Sequence, residues 1–211
     1  DDVTNYELGW KLDLLDQSLR FNGSLFFVDI ESLQTTIFDP SIVNLFFSDN
    51  AANAEVSGLE GNITWAPASV PGLTVTGAFS FLDTEVTDVL LPTDDVREGD
   101  SLAFAPEFQG NLRARYEWDL KGGLRAHVMP HLAYSDESFS DIIVINRQEL
   151  DSWLMLGVTA GVSAASWTAE LFVDNLTDEA AELSMNFVPD RDRVTLARPL
   201  TAGLRFTYDF Q

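Results

Sequence analysis

The chain has 211 residues, 45% of them apolar, and 34 acidic against 12 basic side chains give it a formal net charge of -22. Such a length suits one domain or two small ones with a sizeable core, and the acidic excess repels nucleic acid, whose phosphates need clustered Lys and Arg. With no Cys and two His, disulfides and thiolate metal sites are excluded and little remains for a zinc centre.

No apolar run approaches the length of a membrane-spanning helix, and no signal peptide opens the chain. The first residues, DDVTNYELGW, lack an initiator Met and read as a processed product or the later part of a longer sequence.

Tyr6, Leu8, Trp10, Leu12 and Leu14 alternate with Glu7, Gly9, Lys11 and Asp13, a period of two that predicts a strand. The next segment sets Leu19, Phe21, Gly23, Leu25 and Phe27 against Arg20, Asn22, Ser24 and Phe26, and runs on toward Thr35. Leu59, Gly61, Ile63 and Trp65 then oppose Glu60, Asn62 and Thr64, and Leu73, Val75, Gly77, Phe79 and Phe81 oppose Thr74, Thr76, Ala78 and Ser80.

Leu112, Ala114, Tyr116 and Trp118 alternate with Asn111, Arg113, Arg115 and Glu117. Beyond a turn, Leu124, Ala126, Val128, Pro130, Leu132 and Tyr134 alternate with Arg125, His127, Met129 and His131. Leu154 to Val162, Trp167 to Val173 and the closing Leu204, Phe206, Tyr208 and Phe210 complete about nine strands, with no convincing helix. Short turns of Gly, Pro, Ser and Asp alternate with long polar loops at about 36–54, 86–108, 135–150 and 178–199.

Alternation alone is compatible with a soluble β-sandwich. The strands, however, run to roughly nine to fifteen residues, enough to cross a bilayer at a tilt. Aromatics gather toward their ends: Trp10, Trp65, Trp118, Tyr134, Trp153, Trp167, Tyr208 and Phe210. Gly and Ala on the apolar face pack poorly into a core and cost little against lipid. Short turns at one end and long loops at the other point the same way, so the expected fold is an all-β antiparallel transmembrane barrel with a polar lumen.

The stretch YELGWKLDLLDQSLRFNGSLFFVDIESLQ resembles the Tyr-Glu-Leu-Gly segment, hairpin and aromatic strand of TonB-dependent outer-membrane receptors. FVDNLTDE resembles that family's penultimate-strand signature, RPLTAGLRFTYDF its closing strand, and EGDSLAFAPEFQGNL its loop-to-strand element. The resemblance implies that residues 1–211 are the C-terminal segment of a barrel of about 22 strands, the N-terminal plug and earlier strands lying upstream. A free-standing nine-strand sheet would leave two edges unpaired in lipid.

It further implies an outer membrane of a Gram-negative bacterium, the C-terminus toward the periplasm, and extracellular loops that bind a scarce ligand. Ferric siderophore, vitamin, haem and carbohydrate are all compatible. Implied partners are outer-membrane lipid, the plug, the TonB complex acting on the missing N-terminal region, and the barrel-assembly machinery, which reads the closing strand with Phe210 in the place of the usual final Phe. Gln211 departs from that pattern. No cofactor and no enzymatic step are implied. A passive pore, a small structural barrel and a soluble β-sandwich binding module are the alternatives.

His127 and His131 share the polar face, about 13 Å apart at Cα, too far to chelate one ion. Asp94, Asp95, Glu98 and Asp100 make one loop oxygen-rich in the manner Ca²⁺ prefers, without the regular spacing of a calcium loop. Arg97, Arg191 and Arg193 are the loop residues able to grip an anionic chelate, the alternative for Arg191 and Arg193 being a local salt-bridged turn with Asp190 and Asp192, and the acidic loops otherwise disfavour a strongly anionic ligand. Arg113, Arg115 and Arg125 face the expected lumen, where they could meet acidic groups of the plug or balance Glu117. Ser135, Asp136 and His131 are the one hydrolase arrangement the sequence offers, without a geometry to support it.

Overall fold

The computed structural model describes residues 2–39, 45–91, 94–188 and 191–210. Nine strands form one antiparallel sheet: β1 (Asp2–Leu14), β2 (Leu19–Asp39), β3 (Leu45–Trp65), β4 (Leu73–Val89), β5 (Phe108–Asp119), β6 (Arg125–Ser135), β9 (Trp153–Ser163), β10 (Trp167–Asp174) and β13 (Thr201–Tyr208). Their spatial order is their chain order, with β1 and β13 at opposite edges. Two small hairpins, β7 (Ser138–Phe139) with β8 (Glu149–Leu150) and β11 (Glu182–Val188) with β12 (Arg191–Leu196), interrupt the meander.

The meander follows from the turns. Leu15, Asp16 and Gln17 take φ of 51°, 54° and 67° between β1 and β2, and the Ser18 N–H and hydroxyl both donate to the Leu15 carbonyl at 3.1 and 2.7 Å. Between β5 and β6 the positive φ values fall on Gly122 and Gly123, which adopt them without a Cβ penalty. Gly72 closes the β3–β4 turn at φ 89°; a Cβ there would strike the Glu117 carbonyl of β5, whose N–H donates to the Gly72 carbonyl at 2.9 Å.

Register keeps the two chemistries apart across many strands. Ile63, Gly77, Leu112, Leu132 and Leu156 form one cross-strand row, and one residue along, Thr64, Thr76, Arg113, His131 and Gly157 form the next. A slip by one residue would exchange the faces. The apolar face is uncovered: Leu8, Leu25, Leu171, Leu204 and Phe206 are 68, 49, 62, 80 and 67% exposed. No second sheet lies over it among the described residues, so this is no two-sheet sandwich.

The buried apolar cluster lies instead at the long-loop end, where Ala51, Ala52, Val86, Val96, Ile142 and Ile143 pack together. Val86 continues the polar-face series Thr76, Ala78, Ser80, Leu82 and Thr84 of β4. The loops carrying Val96 and Ile143 therefore fold over the polar face rather than away from it.

Several boundaries differ from the sequence expectation. Most of 36–54 is strand, since β2 and β3 each run 21 residues and stay paired as far as Asp39 and Leu45. Backbone pairing carries them past the alternating region, with register shifts around Leu33 and Ser32 at φ 61°. The segments 135–150 and 178–199 contain the two small hairpins. The last strand stops at Tyr208, although the Asp209 N–H still donates to the Ser166 carbonyl at 2.9 Å, and Phe210 lies beyond it, 91% exposed.

Candidate functional site

The polar face of β5, β6, β9, β10 and β13 carries a network of ionisable side chains. His127 on β6, only 2% exposed, approaches Glu170 on β10 with Nε2 3.0 Å from Oε1. Arg205 on β13 reaches the other Glu170 oxygen at 3.2 Å. Glu170 thus bridges two groups from opposite sides. His131 makes a parallel approach to Asp174 at 3.4 Å, and its Nδ1 is buried without a partner.

Both histidines cross the whole width of β9, and glycine makes this possible. His127 lies opposite Gly161 and His131 opposite Gly157. A Cβ at Gly161 would come within 2.7 Å of His127 Cε1 and 2.8 Å of Glu170 Cγ, while one at Gly157 would collide with His131 Nε2. Neighbouring strands are about 4.8 Å apart, so an imidazole and a carboxylate meet over an intervening strand only if that strand has no side chain there.

A second cluster neighbours the first. Arg115 Nε lies 2.7 Å from Glu117, and Arg125 lies 3.3 Å from Asp119 and 3.9 Å from Glu117. Arg113 shows no such pair among the described residues. The Arg205 guanidinium also lies 5.3 Å above the Phe172 ring, which in turn covers Gly203. Half-exposed pairs of this kind fix geometry and add little stability each.

At the long-loop end one residue ties two loops together. Arg147 donates to the carbonyls of Ser101 and Asp141 at 2.8 and 3.0 Å and to the Ser101 hydroxyl at 2.8 Å. Its guanidinium stacks 3.9 Å over Phe139. Beside this clamp is a recess of about 310 Å³ whose lining includes Asp83, Glu107, Asp136, Glu137 and Phe139. Arg97 lines the adjoining recess with Asp83, Asp100 and Arg147.

The other sequence candidates are dispersed. Among the described residues no three His, Asp or Glu side chains gather as metal ligands, so Asp94, Asp95, Glu98 and Asp100 form no cation cage. Asp100 instead faces Arg147 at 3.9 Å, and the Asp95 carbonyl accepts from Val144 N–H. Arg191 and Arg193 stand on β12 in the long-loop hairpin. Ser135 donates to the Asp136 carbonyl and His131 is engaged with Asp174, so no hydrolytic triad assembles from Ser135, Asp136 and His131.

Among the aromatics, Tyr116 and Trp118 stack, Trp167 stacks on Phe206, and Tyr208 meets Phe210 edge-on at the short-turn end, where Trp10 also packs on Phe21 and Trp65 ends β3. Phe81, Phe108 and Tyr134 form the opposite row, with centroids 4.6 and 5.9 Å apart. Trp153 pairs with Ser135, which puts it on the polar face. The sequence reading missed Glu170, Arg205 and Arg147. Glu170 was open to discovery, because WTAELFVD places one carboxylate mid-strand on the polar face.

A two-faced meander whose greasy face is uncovered, whose polar face is charged and whose loops fold inward defines the class: part of the wall of a β-barrel. Residues 2–176 match the family described as TonB dependent receptor-like, beta-barrel, and the chain belongs to that family. It is similar to the ferric yersiniabactin uptake receptor FyuA from Yersinia pestis, with 18% identity and a TM-score of 0.80 over 99% of this chain and 30% of that one. BauA, the ferric preacinetobactin receptor from Acinetobacter baumannii, gives 21% identity and a TM-score of 0.73 over 99% and 29%. The ferric-catecholate import receptor Fiu from Escherichia coli K12 gives 19% and 0.73 over 99% and 27%. The chain thus spans about 30% of the length of the structures it matches. The family is that of outer-membrane receptors of Gram-negative bacteria, transport proteins rather than enzymes.

Proposed function

We propose that the chain forms the C-terminal part of the wall of a receptor that imports a ferric chelate, its apolar face in outer-membrane lipid and its polar face lining the lumen. The carrying observation is the uncovered apolar face between two aromatic rows. From Phe108 to Trp118 on β5 is ten residue steps, about 34 Å along a strand and about 26 Å at a 40° tilt, close to the apolar band of outer-membrane barrels. Short turns then face the periplasm, as does the C-terminus, and the long loops face outside.

The ferric-chelate class rests on the names of the similar structures. The Arg147-clamped loops supply one flank of the ligand vestibule, with Arg97, Arg191 and Arg193 as its cationic candidates. The surrounding carboxylates favour a neutral or cationic chelate. The lumenal Arg113, Arg115, Glu117, Arg125, His127 and His131 face an upstream plug, through which TonB supplies energy, and β13 is the strand offered to the barrel-assembly machinery.

The test is a binding and uptake screen of the complete receptor with ferric catecholate, hydroxamate and carboxylate chelates beside haem, cobalamin and oligosaccharides. Saturable ferric-chelate binding, with uptake lost when the proton-motive force is collapsed, is expected. Steady conductance without any ligand binding would instead establish a passive pore.

A further inference from the structure

The apolar face is not uniform. On its short-turn side, Trp118, Ala126, Val162, Ala169 and Phe206 form one cross-strand row and Tyr116, Val128, Ala160, Leu171 and Leu204 the next. Ala126, Ala160 and Ala169 make a low floor, while Trp118 stands on one side and Trp167, Leu204 and Phe206 on the other. The result is a groove of about 670 Å³ with an almost wholly apolar lining.

Its walls are braced. Trp118 stacks on Tyr116 at 5.7 Å and 25°, and Trp167 on Phe206 at 6.2 Å and 23°. Rings held in pairs do not fold down to fill the depression.

The β5–β6 turn follows directly from the Trp118 wall. It carries Lys121, the one Lys or Arg in the short turns 15–18, 66–72, 120–124 and 164–166. Gly122 and Gly123 beside it leave open space, since a Cβ at either would meet nothing within 4 Å. Lys121 stands three residues beyond Trp118, past the aromatic row, and the intervening Asp119 is paired with Arg125 at 3.3 Å. A cation just beyond the end of an apolar slot complements a molecule with an anionic head and long alkyl tails.

Resting on the membrane orientation above, we propose that this groove retains one glycerophospholipid of the inner leaflet, its acyl chains between the Trp118 and Trp167 walls and its phosphate at Lys121. Ordinary boundary lipid exchanges freely along a smooth barrel face; here the depth of the slot and the ion pair distinguish one position.

The test is native mass spectrometry of the complete receptor extracted in mild detergent, comparing the unaltered protein with Ala160→Phe and Lys121→Gln. Heat-modifiable migration in each sample reports that the barrel is folded. One phospholipid mass per receptor is expected, absent in Ala160→Phe and reduced about fivefold in Lys121→Gln, the loss of about 1 kcal/mol near a membrane surface. A folded, membrane-inserted receptor that retains no lipid, retains it equally in both variants, or flies as a dimer would overturn the lipid site and leave the receptor reading standing. Failure to insert in bilayers at all would count against the receptor reading itself.

Discussion

Replacing Gly161 by Ala tests whether the histidines cross β9 only because that strand is bare. The added Cβ would lie 2.7 Å from the Ala169 carbonyl oxygen, 2.7 Å from His127 Cε1 and 2.8 Å from Glu170 Cγ, all inside normal contact distance. Overpacking of this kind costs about 1–3 kcal/mol. A midpoint of about 2 kcal/mol corresponds to roughly a thirtyfold fall in the folding equilibrium. Removing the imidazole with His127→Ala relieves one of the three clashes and leaves those with Glu170 and the Ala169 carbonyl, so the same substitution in that background should cost about two thirds as much. The coupling is then about 0.7 kcal/mol, within the range for contacting residues.

Denaturant midpoints of the complete receptor in vesicles, followed by Trp fluorescence, provide the cycle. Gly9→Ala provides the contrast, since a Cβ there meets its nearest atom in this chain at 3.7 Å and should leave the midpoint unchanged. Equal costs for Gly161→Ala with and without His127 would refute the crossing.

Further outcomes follow from the same geometry. Arg147→Met should free loops 94–107 and 136–148 from each other, raising amide exchange at Phe104 and Val144 about thirtyfold for a loss near 2 kcal/mol, with β5 and β6 unchanged; Arg147→Lys should not restore protection, because an ammonium cannot match the forked guanidinium. Leu112→Arg on the apolar face should destabilise the inserted barrel by about 2–4 kcal/mol while Asn111→Arg, one residue away on the polar face, is nearly neutral in urea titrations. Gly72→Ala forces a side chain onto the Glu117 carbonyl at a positive φ and should abolish the heat-modifiable folded form on gels.

The strands were legible wherever burial differs between the faces. Leu112 to Trp118 and Leu124 to Tyr134 announce themselves because a membrane on one side and water on the other force strict alternation. Residues 36–54 did not, because FDPSIVNLFFSDN shows no sustained period of two and its pairing is decided by the register inherited from below. The site was legible only in halves. His127 and His131 were visible as polar-face residues, but their partners are two strands away, chosen by the register that sets Gly157 and Gly161 opposite them. Arg147 is bonded to Ser101, 46 residues distant, and no local pattern encodes that contact.

The central claim is that successive residues of each long strand face lipid and lumen in turn. The chain has no Cys, so single cysteines at 111 to 118 of the complete receptor, read in a bilayer with lipid-soluble and water-soluble quenchers, test it directly. Lipid access is expected at 112, 114, 116 and 118 and aqueous access at 111, 113, 115 and 117. Uniform aqueous access, or the opposite phase, would contradict the assignment of the apolar face to the membrane.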